Sequence, residues 1–303
     1  MQKKLLLIIN PHSGRGLSNT KIGDIVMKLS QGDFVVTVMF TQVYTVSQLA
    51  RENAAGYDLV VCCGGDGTLS DIIAGLVELP NPPPIGYIPT GTANDVATTL
   101  ALSRNTDTAV RTILDGNTTR YDVGVFGGES FSYIAAFGVF TAVSYATPQA
   151  KKKALGHLAY VFGGISEVPT MAQTHHTIVE YDDGVLEGDF SFGGVTNSTS
   201  VAGFVRINPE YVDLGDGLFE VILIKTPMNI MQFADIIRDV TSKNFASDSV
   251  VLLHTKRVRF TFDEPVAWTR DGESGGEHKS VEISIHPRAV RIITPRVDTD
   301  TTP

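Results

Sequence analysis

Several things are scarce in this sequence. Only two of its 303 residues are cysteine, and Cys62 and Cys63 adjoin inside one apolar run. They therefore cannot bridge distant segments or furnish a four-ligand metal site. They read as small buried thiols of a reducing compartment. Lys and Arg number 24 against 33 Asp and Glu, and a net charge of −9 argues against a polyanion surface and against nucleic acid as a partner. No apolar run reaches the roughly 18 residues that cross a bilayer. The opening "MQKKLLLIINPHSG" breaks at Asn10-Pro11 after too short a run for a signal peptide, so a cytoplasmic chain is expected. No G-x-x-x-x-G-K-[ST] run occurs, which excludes a Walker-type site. There is no internal repeat, and only "DTDTTP" reads as a disordered tail.

What is present suits a layered protein. Hydrophobic residues make up 43% of the chain, enough for real cores, and the length favours two domains over one large one. The first third alternates strand-like and helix-like segments. "KKLLLIIN", "DFVVTVMF", "YDLVVCC" and "IGYIP" read as strands. Ile22, Ile25, Val26 and Leu29 mark one helical face, and Leu69, Ile72, Ile73 and Leu76 another. Thr45 and Gln48 have the spacing of a capping box, Gly56 closes that helix, and further helices are predicted near 94–102 and 106–115.

From about Tyr121 the pattern changes. "YDVGVF", "SFSYIAAFGVF", "HHTIVEY", "FSFGGVT", "GLFEVILI", "RVRFTF" and "SVEISIH" read as strands of an antiparallel β domain, interrupted by helices over "AKKKALGHLAYVFGGISEV" and "MNIMQFADIIRDVTSKN". The methionines of the second helix are expected to fill a core. The predicted domains are residues 1–121 and 122–291, with 292–303 returning to the first.

The chemistry concentrates in "VVCCGGDGTLSDII", where a strand meets glycines and an aspartate before a helix. Glycine lets backbone N–H groups approach a ligand, and such groups near a helix start bind phosphate. Asp66 could act there through a metal ion, and a tight structural turn is the rival reading. "NPHSGRG" and "PTGTAND" leave the ends of other presumed parallel strands, the edge at which open α/β sheets bind ligands, and Arg15 could add a phosphate contact.

In this order "NPHSG", "GGDGTLSD", "GTANDVA", "YDVG", "DLGDGLFEV" and "RDGE" resemble the bacterial diacylglycerol kinase-like lipid kinases, relatives of sphingosine and ceramide kinases and more distantly of NAD kinases and phosphofructokinases. The resemblance runs from Lys4 to about Pro295. It implies an ATP cleft between an N-terminal parallel-sheet α/β nucleotide-binding domain and a C-terminal antiparallel β-sandwich domain for lipid. The family's nucleotide contacts fall on Asn10, Pro11, His12, Ser13, Gly14, Thr41, Gly65, Asp66, Gly67, Thr68, Leu69, Ser70, Asp71 and Thr92. Asn94 joins them, at the start of a helix that it and Asp95 would cap. Magnesium is implied at Asp213, the Asp216 carboxylate and the main-chain oxygen of Leu218. Asp66 and Asp122, with Asp95 beside them, would connect that ion to the ATP site through water. Glu273 takes the role of general base on the lipid hydroxyl, with Asp66 as the rival base.

The residues alone leave plainer readings open. Asp216-Gly217 is a hairpin turn signal, and Glu273 is a solvated turn carboxylate between strands with uncertain loop geometry because "SGGEH" follows. His175, His176 and His254 read as structural or surface residues, and Trp268 as core or lipid-facing. Lys151, Lys152 and Lys153 precede an apolar stretch and could dock on an anionic leaflet, or form a solvated face. The expected activity is ATP- and Mg²⁺-dependent phosphorylation of a membrane lipid, diacylglycerol to phosphatidate first. It comes with peripheral contact at the inner face of the membrane, and a homodimer is left open. The alternatives are a kinase of a soluble alcohol such as NAD, and a non-catalytic nucleotide or lipid sensor.

Overall fold

Leu5 to Ile9 and Leu59 to Cys63 are two unbroken apolar runs with at most 3% exposure. Strands buried on both faces have this composition, because helices cover each side of a parallel sheet. The computed structural model describes residues 2–14, 18–41, 45–138, 173–201, 205–243, 245 and 247–296. Contacts divide the chain into two units, Met1–Val123 with Pro287–Pro303, and Gly124–His286.

The first unit runs β1 (Lys3–Ile9), α1 (Asn19–Ser30), β2 (Phe34–Phe40), α2 (Val46–Asn53), β3 (Leu59–Gly64), α3 (Asp66–Val77), β4 (Ile85–Pro89), α4 (Asp95–Thr99), α5 (Thr106–Asp115) and β5 (Asn117–Phe126), which continues into the second unit. Strand order is β2-β1-β3-β4, and each of these neighbours pairs in parallel. Leu5, Leu7, Ile9, Val61, Cys63 and Ile88 share one core with Ile25 and Leu29 of α1 and Ala109, Val110 and Ile113 of α5. The alternate positions, Leu6, Ile8, Val60, Cys62 and Tyr87, are buried as well. The loops at the C-terminal ends of β1, β3 and β4 lie on the edge at which open α/β sheets bind ligands.

The second unit holds the end of β5, then β6 (Glu129–Phe131), β7 (Ile134–Gly138), β8 (His175–Tyr181), β9 (Gly184–Thr196), β10 (Ser200–Val201), β11 (Val205–Arg206), β12 (Phe219–Lys225), α6 (Ile230–Ser242), β13 (Val250–Thr255), β14 (Arg257–Arg270) and most of β15 (Glu273–Thr294). Its pairings are antiparallel, with β12 between β13 and β9, β9 beside β7 and β8, and β14 beside β7, β8 and β15. The core is aromatic: Phe131, Phe137, Phe190, Phe219, Phe260, Phe262 and Trp268 are buried together. The last residues of β15 belong to the first unit, where Ile292 pairs in parallel with Ile85.

Several sequence readings differ from the structure. Thr45 occupies the N-cap of α2 but makes no side-chain cap bond, and the Gln48 side chain turns to Glu52 at 2.8 Å, so neither half of a capping box forms. The segment near 94–102 is helical only over Asp95–Thr99, and Ala101 lies beyond it at φ 54°. "SFSYIAAFGVF" is not one strand, since Ser132 and Tyr133 break it between β6 and β7. β13 lacks a clean alternation and has no counterpart among the predicted strands. Met231 of α6 is 76% exposed and Met228 just before it 79%, so these methionines fill no core. Asp216-Gly217 does turn the chain, with Gly217 at φ 84°, whereas Glu273 is the first residue of β15 rather than part of a loop. Arg15, the predicted helix at 150–168 and Lys151 to Lys153 lie outside the described residues.

Candidate nucleotide and acceptor site

Three loops converge at the C-terminal ends of β1, β3 and β4, and their glycines show how closely. A Cβ on Gly14, at φ +59°, would lie 2.0 Å from the carbonyl oxygen of Thr90. One on Gly91 would lie 2.7 Å from the Cα of Gly65, and one on Gly65 would lie 3.3 Å from the Cα of Gly91 and 3.4 Å from Ser13 Oγ. At these three positions the loops leave one another no room for a side chain. Gly67 is the exception: nothing lies within 4 Å of where its Cβ would stand, in the first turn of the 12-residue α3.

Side chains complete the interlock. Asn10 Nδ2 donates to Thr68 Oγ1 at 3.0 Å, and Asn10 Oδ1 accepts from the His12 N–H at 3.0 Å, which ties the first loop to α3. Ser13 is buried, Pro11 half-buried and His12 exposed. Thr41 ends β2 with its N–H on the Ile9 carbonyl at 3.1 Å, and Thr92 is exposed. Leu69 is fully buried in the core, Ser70 is half-buried and Asp71 is exposed.

Asp66 opens α3 and reaches across to α4. Its Oδ2 accepts from the Asp95 N–H at 3.0 Å and its Oδ1 from the Val96 N–H at 3.3 Å. Asn94 sits at the α4 N-cap in the left-handed region, φ 54°, without capping it. The reading of Asn94 and Asp95 as caps is corrected: the cap comes from the neighbouring helix, because a left-handed Asn94 turns its amide to the Gly91 carbonyl, 2.8 Å away. Burial raises the Asp66 carboxyl above the usual carboxylate range. The α4 amides oppose that rise and the charge of Asp95 adds to it. Tyr87, fully buried on β4, places its hydroxyl 3.5 Å from Asp66 Oδ1 and 3.4 Å from Asn94 Oδ1. Nothing in the sequence marks Tyr87 beyond one hydroxyl in an apolar strand.

The adjoining thiols are inert. Burial pushes Cys63 up to about 12, and Cys62 is raised well above the ordinary range by burial and then by Cys63, Asp66 and Asp71. Asp122 is fully buried, and its Oδ1 accepts from the backbone N–H of Arg288 at 2.5 Å.

In the second unit Glu273 is exposed and pairs with Arg270 across a turn made by Asp271 and Gly272. The turn is clamped. The Asp271 carboxylate accepts from the N–H groups of Ser132, Tyr133 and Ile134 at 2.7, 2.9 and 2.9 Å, and its own N–H donates to the Ile134 carbonyl at 2.8 Å. Ser132 and Tyr133 are the residues that interrupt "SFSYIAAFGVF", and the Asp-Gly pair was the only sequence signal for the clamp. The "SGGEH" continuation resolves into a register shift in which Trp268 faces Gly276 while Thr269 faces Ser274. Asp213 Oδ1 accepts from the Gly215 N–H at 3.0 Å and Asp216 Oδ1 from the Leu218 N–H at 2.8 Å, so each carboxylate closes its own turn through one oxygen. Among the described residues no three His, Cys, Asp or Glu side chains gather as a metal site. His254 bonds the Tyr211 carbonyl, His175 packs edge-on to Phe137, and His176 bridges Asp189 and Glu187.

Comparison with known proteins supplies the identity of this arrangement. The diacylglycerol kinase catalytic domain model matches residues 4–126, and the YegS C-terminal NAD kinase beta sandwich-like domain model matches residues 134–294. The chain is 31% identical over 301 residues to a diacylglycerol kinase of Staphylococcus epidermidis, covering 98% of this chain and 93% of the relative. It is 29% identical over 298 residues to a diacylglycerol kinase of Bacillus subtilis, covering 97% of each. A crystal structure of a diacylglycerol kinase from Bacillus anthracis matches the fold with a TM-score of 0.75 at 22% identity, over 97% of each chain. The chain belongs to the bacterial diacylglycerol kinase-like family of lipid kinases, phosphotransferases that act on an alcohol.

Proposed function

We propose that the protein transfers the γ-phosphoryl group of ATP to the hydroxyl of a membrane lipid, with diacylglycerol as acceptor and phosphatidate as product. Residues 1–121 with 292–303 handle the nucleotide, and 122–291 handle the lipid. The observation that carries the reading is the contrast among the glycines. Gly14, Gly65 and Gly91 are locked against neighbouring loops, while the space before Gly67 is open at the start of a full-length helix, where backbone N–H groups favour phosphate.

In the reaction the lipid oxygen forms a bond to the γ-phosphorus, the bond from that phosphorus to the β–γ bridging oxygen breaks, and ADP leaves. Glu273 accepts the hydroxyl proton. Little covalent chemistry falls to the protein, so positioning by Asn10 to Gly14, Gly65 to Asp71 and Thr92 is its main contribution.

Magnesium fits the residues present. Asp213 and Asp216 each keep Oδ2 outside the turn bond, Leu218 adds a carbonyl, and oxygen-only sets with one or two carboxylates suit this ion. When bound it would supply positive charge; Asp66 would act on the phosphates through a metal ion, and Asp66 and Asp122, with Asp95 beside them, would connect the ion at Asp213 and Asp216 to the ATP site through water. No described helix is long and apolar enough to cross a membrane, so contact with the lipid surface is peripheral in this reading.

The test is transfer of labelled phosphate from ATP to diacylglycerol, monoacylglycerol, a sphingoid base, phosphatidylglycerol and polyprenol in mixed micelles, with NAD as soluble control. Diacylglycerol should label fastest. Labelling of NAD alone would replace the lipid reading with the soluble one, and MgATP binding without turnover would replace it with a sensor. Glu273→Gln should lower kcat by on the order of 10²- to 10⁴-fold and leave ATP affinity intact. Near-wild-type kcat in that variant, with kcat alone lost in Asp66→Asn, would move the base to Asp66.

A further inference from the structure

We propose that Tyr87 is a positioning residue for phosphoryl transfer, its buried hydroxyl fixing the Asp66 carboxylate from the side of the sheet. The proposal rests on the reading of Asp66 as the carboxylate that acts on the nucleotide phosphates through magnesium.

The geometry requires an explanation of that hydroxyl. Tyr87 pairs with Cys62 in the middle of the parallel sheet and has no exposed surface. A phenylalanine would fill the same space without burying an O–H, so the hydroxyl costs free energy unless a partner takes it. Its partners are Asp66 Oδ1 at 3.5 Å and Asn94 Oδ1 at 3.4 Å. The Asn94 amide is oriented by its own bond to the Gly91 carbonyl, which leaves its oxygen toward Tyr87. One proton thus lies between a carboxylate and an amide oxygen, and it links the loop after β3 to the loop after β4.

The link acts where Asp66 is soft. The terminal torsion of an aspartate is broad and roughly two-fold, so donors from one short helix hold the carboxylate only as firmly as that helix is held. The amides that hold its two oxygens, those of Asp95 and Val96, come from the start of the five-residue α4. Tyr87 comes from β4, a different and more rigid element, and limits that torsion. The arrangement is a pre-set orientation, and an oriented carboxylate contributes to the rate because no reorganisation is needed when charge develops.

Tyr87→Phe separates positioning from packing. Calorimetry is run with ATP alone and with MgATP, alongside turnover on diacylglycerol in mixed micelles and the thermal midpoint. We expect kcat to fall on the order of tenfold, the size of one lost hydrogen bond to a charged group. ATP binding without magnesium should be unchanged, its strengthening by magnesium should drop several-fold, and the midpoint should fall by only a few degrees, about the loss of one hydrogen bond. In an Asp66→Asn background Tyr87→Phe should change neither quantity, because the group it positions is gone. Equal losses with and without magnesium, a midpoint lowered by more than about 10 °C, an undiminished effect in the Asp66→Asn background, or a wild-type-like Tyr87→Phe would each overturn the proposal. A wild type that phosphorylates no lipid defeats the proposed function first, and the magnesium dependence of ATP binding then still decides the role of Tyr87.

Discussion

The two units solve the same problem with opposite materials. The first packs aliphatic strands between helices: the cluster against α1 and α5 is built of Leu, Ile, Val, Ala and Cys, and Tyr87 and Tyr121 are buried rings outside it. The second packs antiparallel strands around aromatic rings, with Phe137 in edge or tilted contact with Phe260, Phe262 and Trp268 at centroid distances of 5.7, 4.9 and 4.9 Å. Glycines differ in the same way. In the first unit Gly14 and Gly91 let loop backbones touch, whereas Gly193 and Gly124 on strands of the second make room for the rings of Phe137 and Phe131. The first unit is therefore exact at its loops, and the second at its core. One should fail when atoms are added to it, the other when atoms are removed.

That contrast can be broken directly. Trp268→Ala removes the ring at the centre of the aromatic core, and a loss of about 3–5 kcal/mol is expected in denaturant unfolding. Hydrogen exchange should quicken in β7, β9 and β14 while β1 and β3 stay protected, and uniform quickening would show that the halves do not differ as argued. Gly14→Ala comes next. One methyl at φ +59° would meet the Thr90 carbonyl at 2.0 Å, so at least about 2 kcal/mol should be lost, with MgATP binding abolished in calorimetry. Wild-type affinity in that variant would mean that the loops yield more easily than their contacts imply.

Smaller effects sharpen the comparison. Gly67→Ala should leave stability within about 0.5 kcal/mol, because the new methyl meets nothing, yet weaken MgATP binding if phosphate occupies that space. Unchanged affinity would return the glycines to a purely structural role. His176→Gln, on the exposed face of the second unit, should have the smallest effect. Its ring is raised above the ordinary histidine value first by the bond to Asp189, against some desolvation, then by Glu187, with Asp263 and Asp189 adding charge. A raised folded-state value means that the stabilisation is present below the unfolded value, about pH 6.5, and is lost as pH rises through the folded one. The midpoint gap between wild type and variant should be visible near pH 6 and closed by about pH 9. A gap that does not change with pH would assign His176 to packing.

Much of this was legible because it is local. The buried runs of β1 and β3, the helical faces at Ile25 and Leu29 and at Leu69, Ile72 and Leu76, and the motif order that carries the family all sit within short windows. The failures have a common cause. Thr45 and Gln48 have capping-box spacing, but Gln48 found Glu52 one turn on. Met231 has core composition on an amphipathic helix yet is exposed, since spacing says which residues share a face and not which face is covered. Asp216-Gly217 does make the turn that its sequence signals, and Asp216 closes it through one oxygen.

By itself the sequence determined the candidate residues and the family: glycine loops after strands, Asp66 at a helix start, and Glu273 after an Asp-Gly turn. Only the tertiary structure decided who holds whom. Asp66 caps a helix 29 residues away, Tyr87 lies against both Asp66 and Asn94, and Asp271 gathers three N–H groups from a segment 137 to 139 residues earlier. The physical reason is that backbone N–H groups and carboxylates attract one another irrespective of their distance along the chain. A sequence window shows that such groups exist, and only the packing of strands and helices brings a particular pair within 3 Å.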